Sequence, residues 1–272
     1  MALKIGIVGC GAIGKVIARA VDRGDVPGAT VAAICDRKPQ PTEQFCSTLS
    51  RKPMVLPLGE LVRCVDIVVE CASAAAVPEI AAAALGAGRD LMLMSVGALH
   101  DGGLYSNLRE MAGRAGRNIY VPSGALAGLD GVKAAGMAGL DEVALTTRKP
   151  PKGLAGAPGV AGRDEELAHL KREEVVFDGT ASRAVELFPA NVNVAAALAL
   201  AGVGFERTRV RVVADPNTER NVHHLEVRGE FGALHVTVEN VPSPDNPRTS
   251  YLAALSAIAT LKYICEPIKV GT

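Results

Sequence analysis

The sequence predicts an α/β protein in which a doubly wound parallel sheet is followed by a second, α+β domain with a mixed or antiparallel sheet. Short apolar runs alternate with helical periodicity from residue 3 to residue 121, the pattern of consecutive strand–helix units. A glycine-rich turn connects the first strand to the first helix. After residue 139 the alternation ends, and longer runs with a period of two indicate half-exposed strands.

The first strand, turn and helix form the most informative stretch. The apolar run LKIGIV at 3–8 precedes Gly9, Gly11 and Gly14, which have the spacing G-x-G-x-x-G. The first glycine permits a tight turn, the second lets a pyrophosphate approach the backbone, and the third lets the helix pack on the strand. The helix N-terminus adds free N–H groups. This order predicts a Rossmann dinucleotide site with these contacts: Gly9, Gly11, Ala12, Ile13 and Gly14.

The end of the second strand bears on the choice of cofactor. The run TVAAIC at 30–35 ends in Asp36, which lies 22 residues beyond Gly14. A carboxylate in this place accepts hydrogen bonds from the adenosine ribose and favours NAD. Arg37 and Lys38 follow, and either could pair with the extra phosphate of NADP. The sequence therefore predicts NAD, with NADP also possible, and Asp36 and Arg37 as contacts.

Three more strands are predicted at 66–70, 90–94 and 118–121, with helices at 74–87 and 104–115 between them. In such sheets, ligands bind beyond the carboxyl ends of the strands. Small residues follow these ends and suit a flat nicotinamide, although each segment could equally be ordinary turn chemistry. The candidate cofactor contacts in these segments are Cys71, Ala72 and Ser95.

The second half of the chain has a different organisation. A strand at 142–147 leads into a segment rich in glycine and proline that runs to residue 162, which is either a connector or a mobile cover for a site. The remaining predicted elements are a helix near 180, an apolar helix at 194–202, strands at 208–213, 222–228 and 231–239, and a last helix at 249–265. We therefore predict a dinucleotide-binding domain at 1–139 and a substrate and dimerisation domain at 140–272. Whether the last helix packs back on the first domain stays open.

Composition excludes several classes of function. The 29 basic and 29 acidic residues cancel, so the chain lacks the charge that binds nucleic acid or an anionic membrane. There is no apolar run long enough to span a membrane and no signal-peptide pattern at the start. The six cysteines show no C-x-x-C spacing, and no metal site is expected. We expect a cytoplasmic protein.

Two adjacent histidines are separated by strand periodicity. In VHHLEVRG at 222–229, His223 shares a face with Leu225 and Val227, whereas His224 shares the opposite face with charged residues. His235 falls on the outer face of the next strand. A histidine on an apolar face is more often a core residue than a catalyst, so the residues alone leave both roles open for His223.

Several motifs together resemble the L-aspartate dehydrogenase family. The longest are ADPNTERNVHHLEVRGEFG at 214–232 and ENVPSPDNPRTSYLAALSAIATL at 239–261. The others are IGIVGCGAIG at 5–14, VECAS at 69–73, PSGALAGLDG at 122–131, TTRKPP at 146–151 and FPANVNVAAALALAG at 188–202. The resemblance implies a homodimer that oxidises L-aspartate to iminoaspartate with NAD or NADP, in a step that feeds NAD biosynthesis. In reverse, the enzyme would make aspartate from oxaloacetate and ammonia.

The resemblance also implies roles for individual residues. His223 occupies the position of the proposed catalytic histidine, and Ala127, with its neighbour Ala125, and Asn193 occupy positions of cofactor contacts. The family often has glutamate where this chain has His224. The two substrate carboxylates need cationic or N–H partners, and the candidates are Arg148, Lys149, Asn246 and Thr249.

Two other readings of the sequence stay open. One is a different two-domain NAD(P) oxidoreductase that acts on a sugar or a homoserine-like substrate, because a Rossmann domain serves many substrates. The other is a non-enzymatic dinucleotide sensor.

Overall fold

A computed structural model describes residues 2–189, 193–243 and 246–271, with only the backbone described at 246–249. The chain forms two compact units. The first contains Met1–Pro122 and Ala253–Val270, and the second contains Ser123–Leu252 and Gly271–Thr272. Residues 123–139 thus group with the second unit, whereas the boundary predicted from the sequence lies after them.

The first unit is built on a six-stranded sheet. Its strands are β1 (Leu3–Val8), β2 (Ala29–Cys35), β3 (Met54–Val55), β4 (Ile67–Glu70), β5 (Asp90–Leu93) and β6 (Ile119–Tyr120). They are parallel throughout and lie in the order β3-β2-β1-β4-β5-β6. This order reverses direction between β1 and β4, which is the switch point of a doubly wound sheet. The predicted Rossmann fold is confirmed.

Five helices connect these strands: α1 (Ala12–Arg23), α2 (Pro39–Ser47), α3 (Leu58–Cys64), α4 (Val77–Gly86) and α5 (Gly102–Ala115). Pro78 lies in the first turn of α4, where the missing N–H costs nothing. Asp101 caps α5 by accepting hydrogen bonds from the N–H groups of Gly103 and Leu104 at 2.8 and 3.1 Å. The starts of α4 and α5 thus follow local signals in the sequence.

The second unit contains a mixed sheet. Its strands are β7 (Leu140–Lys149), β8 (Glu174–Thr180), β9 (Arg209–Ala214), β10 (Asn221–Gly229) and β11 (Gly232–Asn240), in the order β11-β10-β7-β9-β8. Only β7 and β9 are parallel neighbours, and the other pairs are antiparallel, so the predicted mixed sheet is confirmed. Two short strands, β12 (Pro242–Ser243) and β13 (Asn246–Ser250), form a separate ladder. The helices are α6 (Leu129–Ala135), α7 (Asp164–Ala168), α8 (Ala181–Leu187) and α9 (Asn193–Ala201).

The last helix, α10 (Tyr251–Cys265), belongs to the core of the first unit. Its Ala257 and Leu261 are fully buried in the same apolar cluster as Ile5 and Ile7 of β1. The helix begins two residues later than predicted, because residues 246–250 are extended in β13. Among the described residues, every helix is too short or too polar to cross a bilayer.

Candidate active site

The glycine turn after β1 has the local geometry that a dinucleotide needs. Gly9 has a φ of +105°, and a Cβ there would lie 2.4 Å from the carbonyl oxygen of Cys71. A Cβ on Gly14 would lie 2.1 Å from the carbonyl oxygen of Gly9. A Cβ on Gly11, in contrast, has no described atom within 4 Å. Gly9 and Gly14 are therefore required by the turn itself, and Gly11 leaves open the side on which a pyrophosphate can approach. Ala12 and Ile13 begin the helix that follows.

Asp36 ties the end of β2 to this turn. Its carboxylate accepts a hydrogen bond from the N–H of Cys10 at 2.7 Å and another from the N–H of Lys38 at 2.9 Å. Each carboxylate oxygen keeps a further lone pair that can accept from a ribose hydroxyl. Arg37 and Lys38 are exposed beside it. The arrangement fits the adenosine half of NAD and leaves cations available for NADP.

A buried carboxylate joins the ends of β4 and β5. Glu70 is fully buried and accepts hydrogen bonds from the N–H of Ala72 at 2.8 Å and from the N–H and hydroxyl of Ser95 at 2.9 and 2.8 Å. The N–H of Met94 donates to it at 3.2 Å. Burial raises the pKa of Glu70, and these four donors oppose that shift. Glu70 thus brings two predicted cofactor contacts, Ala72 and Ser95, into one network. Cys71, which lies between Glu70 and Ala72 in the chain, is half-buried.

Glu70 belongs to a predicted strand end, but its role as an acceptor shared by two strand ends was not predicted. The available signal was an acidic residue at the end of a wholly apolar strand, where a carboxylate needs several donors. The donors of the neighbouring strand end become evident only when β4 and β5 are paired.

In the second unit His223 is buried on the inner face of β10, as periodicity predicted. It is 2 % exposed, and its Nδ1 lies 3.1 Å from Oγ1 of Thr147 on β7. The strand register pairs these two residues directly. Lys149 lies two residues further along β7 on the same face and is 5 % exposed. Thr147 and Lys149 therefore flank His223 from the neighbouring strand.

The pKa values of this cluster are strongly displaced. Burial, followed by the charge of Lys149, lowers the pKa of His223 to about 3. Burial lowers the pKa of Lys149 to about 8. At neutral pH His223 is accordingly uncharged, the form of an imidazole that accepts a proton. Such displaced values in a cluster of nitrogen bases are typical of functional sites.

Two buried asparagines continue the polar face at the same end of the sheet. Asn221 pairs with Asn240 in the register of β10 and β11, and both are buried. The Nδ2 group of Asn240 donates to the carbonyl oxygen of Ala125 at 3.0 Å, and that of Asn221 lies 3.3 Å from Oγ of Ser250. The Oδ1 atom of Asn240 is buried with no partner among the described atoms. Asn240 thus holds the turn that contains Ala125 and Ala127.

The other predicted site residues lie away from the His223 cluster, or their side chains are not among the described residues. Arg148 is on the opposite face of β7 from Lys149 and forms ion pairs with Asp215, at 3.1 Å, and with Glu173. It is not brought together with His223. Asn193 is exposed at the start of α9, and Ala127 is exposed while Ala125 is buried. The side chains of Asn246 and Thr249 lie outside the described residues.

The first unit is a doubly wound sheet with a glycine turn that fits a dinucleotide. The second unit buries a histidine and a lysine on one sheet face. These features define a two-domain nicotinamide-dependent oxidoreductase. Comparison with known proteins agrees. Residues 9–122 match the family described as the NAD-binding domain of homoserine dehydrogenase, and residues 130–264 match the one described as the C-terminal part of aspartate dehydrogenase.

Full-length relatives identify one family within this class of oxidoreductase. The chain is 54% identical to an L-aspartate dehydrogenase of Methanocella arvoryzae over 99% of both chains. It is 52% identical to an L-aspartate dehydrogenase of Methanosarcina mazei over 99% of this chain and 100% of that one. The crystal structure of an aspartate dehydrogenase from Thermotoga maritima has a TM-score of 0.77 and 28% identity, with all of both chains covered. The chain belongs to the L-aspartate dehydrogenase family.

Proposed function

We propose that this protein oxidises L-aspartate to iminoaspartate with NAD, and with NADP as a possible alternative. The observation that carries the proposal is the buried, uncharged His223 in a chain whose full-length relatives bear the name L-aspartate dehydrogenase. The glycine turn and Asp36 support the binding of the dinucleotide. The nicotinamide, when bound, supplies the chemistry that accepts a hydride.

His223 is proposed to accept the proton of the substrate ammonium group. Loss of hydride from the α-carbon requires the amino nitrogen to have a free lone pair, so this proton must leave first. When Nδ1 carries the imidazole proton and donates it to Thr147 Oγ1, Nε2 keeps a free lone pair. Thr147 is thereby proposed to select the tautomer, and Nε2 is the atom that accepts the proton.

The low pKa of His223 links this step to the binding of substrate. Negative charge near an imidazole raises its pKa, and aspartate brings two carboxylates. A substrate carboxylate paired with Lys149 also offsets the positive charge that, after burial, lowers the pKa of His223. Both effects make His223 a stronger base, and we expect oxidation of aspartate to be faster in alkaline solution, where the substrate ammonium group releases its proton more readily.

Lys149 is the best supported partner for a substrate carboxylate. It is a buried cation on the same strand face as His223. Arg148 is already paired with Asp215 and Glu173, which weakens its case. Asn246 and Thr249 stay proposals from the sequence. The homodimer, the cytoplasmic location and the contribution to NAD biosynthesis are likewise proposed from the family resemblance.

The test is an assay of purified protein with L-aspartate and each cofactor at alkaline pH. We expect formation of NADH or NADPH that depends on aspartate and is lost in His223→Ala. Turnover of a sugar or of homoserine in place of aspartate would assign the protein to another oxidoreductase class. Tight binding of NADH without turnover of any of these substrates would indicate a dinucleotide sensor.

The preference between cofactors has its own test. Asp36→Ala removes the carboxylate proposed to hold the ribose hydroxyls, so we expect the Kd for NAD to rise far more than the Kd for NADP. Fluorescence titration of NADH and NADPH, which carry the same adenosine halves as NAD and NADP, measures both losses of affinity. Equal losses would mean that Asp36 serves only the turn at Cys10 and does not contact the ribose.

A further inference from the structure

The outward face of the hairpin formed by β10 and β11 carries three side chains with metal-binding atoms. His224, Glu226 and His235 each offer one ligand atom, and these three atoms lie within 4.8 Å of one another. No metal site was expected from the sequence. His235 stands 11 residues after His224, and only the register of the hairpin brings the two rings together.

The register explains how the cluster forms. Glu226 pairs directly with His235 across the ladder, and His224 precedes Glu226 by two residues on the same strand face. Oε1 of Glu226 lies 3.5 Å from Nδ1 of His235 and 3.9 Å from Nε2 of His224. Two ligands of one tetrahedral zinc ion are roughly 3.3 Å apart, given metal–ligand bonds of about 2.0–2.1 Å. Small side-chain rotations would therefore bring the donors to coordination distance.

A fourth residue orients one of the rings. Nδ1 of His224 lies 2.8 Å from Oγ1 of Thr237, which is its direct partner on β11. When Nδ1–H donates to this hydroxyl, the lone pair of Nε2 is left to face Glu226. Histidine ligands of metals usually donate their other ring N–H to an oxygen in this way, which fixes the tautomer and the ring orientation.

We propose that His224, Glu226 and His235 form a surface site for a zinc-type divalent cation, with solvent at the remaining coordination positions. Two imidazoles and one carboxylate form a donor set used by zinc, whereas Mg²⁺ and Ca²⁺ prefer oxygen ligands alone. The three side chains are 40%, 40% and 49% exposed, so the ion can enter from solvent. The site is separate from the catalytic cluster, because His223 is buried on the other face of β10. The bound ion cross-links β10 and β11.

Calorimetric titration of zinc chloride into the full chain, first freed of metal with a chelator, tests the site. We expect one zinc ion to bind per chain at this cluster and to raise the thermal midpoint, with no comparable effect of magnesium. Each of His224→Gln, Glu226→Gln and His235→Gln should weaken this binding about tenfold or more. His169→Gln is the matched control, since His169 is an exposed histidine at the end of α7 whose Nδ1 contacts the carbonyl oxygen of Glu165.

The competing explanation is zinc bound by cysteine, since six free thiols are present. Zinc binding that is unchanged in His235→Gln would overturn the proposal, and so would the lack of one-to-one binding to the wild-type chain. Thr237→Val keeps all three ligands and removes only the hydrogen bond to His224, so it decides the question even where a ligand variant does not fold. Reduced affinity in Thr237→Val supports the site, and wild-type affinity contradicts it.

Discussion

His223 and His224 are neighbours in the chain, and a single step along a strand separates their environments. His223 is buried beside Thr147, whereas His224 is half-exposed beside Thr237. Because side chains alternate across a strand, this difference was predictable from the spacing of Leu225 and Val227. The contacts of His223 with Thr147 and Lys149 were not predictable, since they depend on how β7 is registered against β10.

Replacement of each histidine should therefore have a different effect. We expect His223→Ala to lower kcat by at least ~100-fold while NADH binding and the fold are kept, since a positioned acid–base group is lost. His224→Ala should change kcat little and the free energy of unfolding by within roughly 0.5 kcal/mol in the absence of added metal. Steady-state kinetics, NADH titration and thermal midpoints measure these quantities. A lower thermal midpoint with an unchanged rate per folded molecule would make His223 a core residue only.

Lys149 gives the protein a pH-dependent stability. Its pKa is about 8 in the folded chain, against 10.5 for an ordinary lysine. Between these two values the unfolded chain holds a proton that the folded chain has released, so the stability due to this residue rises with pH. Below pH 8 the folded chain bears the cost of a buried charge, which the pKa difference puts at about 3 kcal/mol.

We expect Lys149→Met to be more stable than the wild type at pH 7, with a gap that closes as the pH approaches 10.5. The difference between the two chains isolates Lys149, because every other titrating group is common to both. Urea unfolding across this pH range measures the gap. Parallel stability curves would contradict the buried, displaced lysine.

At the scale of elements, the strand ends of the first unit are held by Glu70 and its four donors. Glu70→Gln places an N–H group against N–H donors, so at least one buried donor loses its acceptor. We expect a loss of about 1–3 kcal/mol in the free energy of unfolding and weaker NADH binding, because Ala72 and Ser95 are proposed cofactor contacts.

Ser95→Ala is the control for this variant, since it removes only the hydroxyl donor and should cost less. Denaturant unfolding and NADH titration of both variants report the two effects. Wild-type NADH affinity in a destabilised Glu70→Gln would restrict Glu70 to a structural role.

The elements that the sequence predicted best are those whose own residues carry the signal. Most strands and helices of the first unit follow apolar runs and helical periodicity, and they were predicted. The short elements between β2 and β4, namely α2, β3 and α3, were not. The strand β8 was not, because Asp178 and Gly179 weaken its pattern; across the ladder, Asp178 is paired with Arg209 and Arg211. The start of α10 was placed two residues too early, because β13 continues to Ser250, which pairs with Pro242 of β12, and this pairing cannot be read from the helical pattern.

For the whole molecule, the order of strand–helix units was enough to predict a Rossmann sheet and a separate mixed sheet. The order of these units did not predict which side chains contact each other. The ion pairs of Arg148 with Asp215 and Glu173 join residues from three parts of the second unit. The sequence could identify Arg148 as a cation near the site, but only the fold reveals that its charge is already partnered.

Binding of NAD should raise the thermal midpoint of the protein. A ligand that binds only the folded state stabilises it by about 2.7 kcal/mol at a hundred times its Kd, which corresponds to roughly 5–10 °C in the thermal midpoint of a chain of this size. We expect NAD to produce this rise in the transition that unfolds the first unit. Gly11→Ala is the sharpest variant, because its added methyl group meets no described atom and should not disturb the fold, yet it lies where the pyrophosphate approaches.

Gly14→Ala is the opposite case, because its added methyl group would overlap the carbonyl oxygen of Gly9. We therefore expect Gly11→Ala to unfold at the wild-type temperature without NAD and to gain little when NAD is added, whereas Gly14→Ala should already unfold at a lower temperature without NAD. Differential scanning calorimetry of the three chains, with and without NAD, separates loss of the binding surface from loss of the turn. If NAD raised the thermal midpoint of Gly11→Ala as much as that of the wild type, the pyrophosphate would not bind at this turn, and the proposed cofactor site would be wrong.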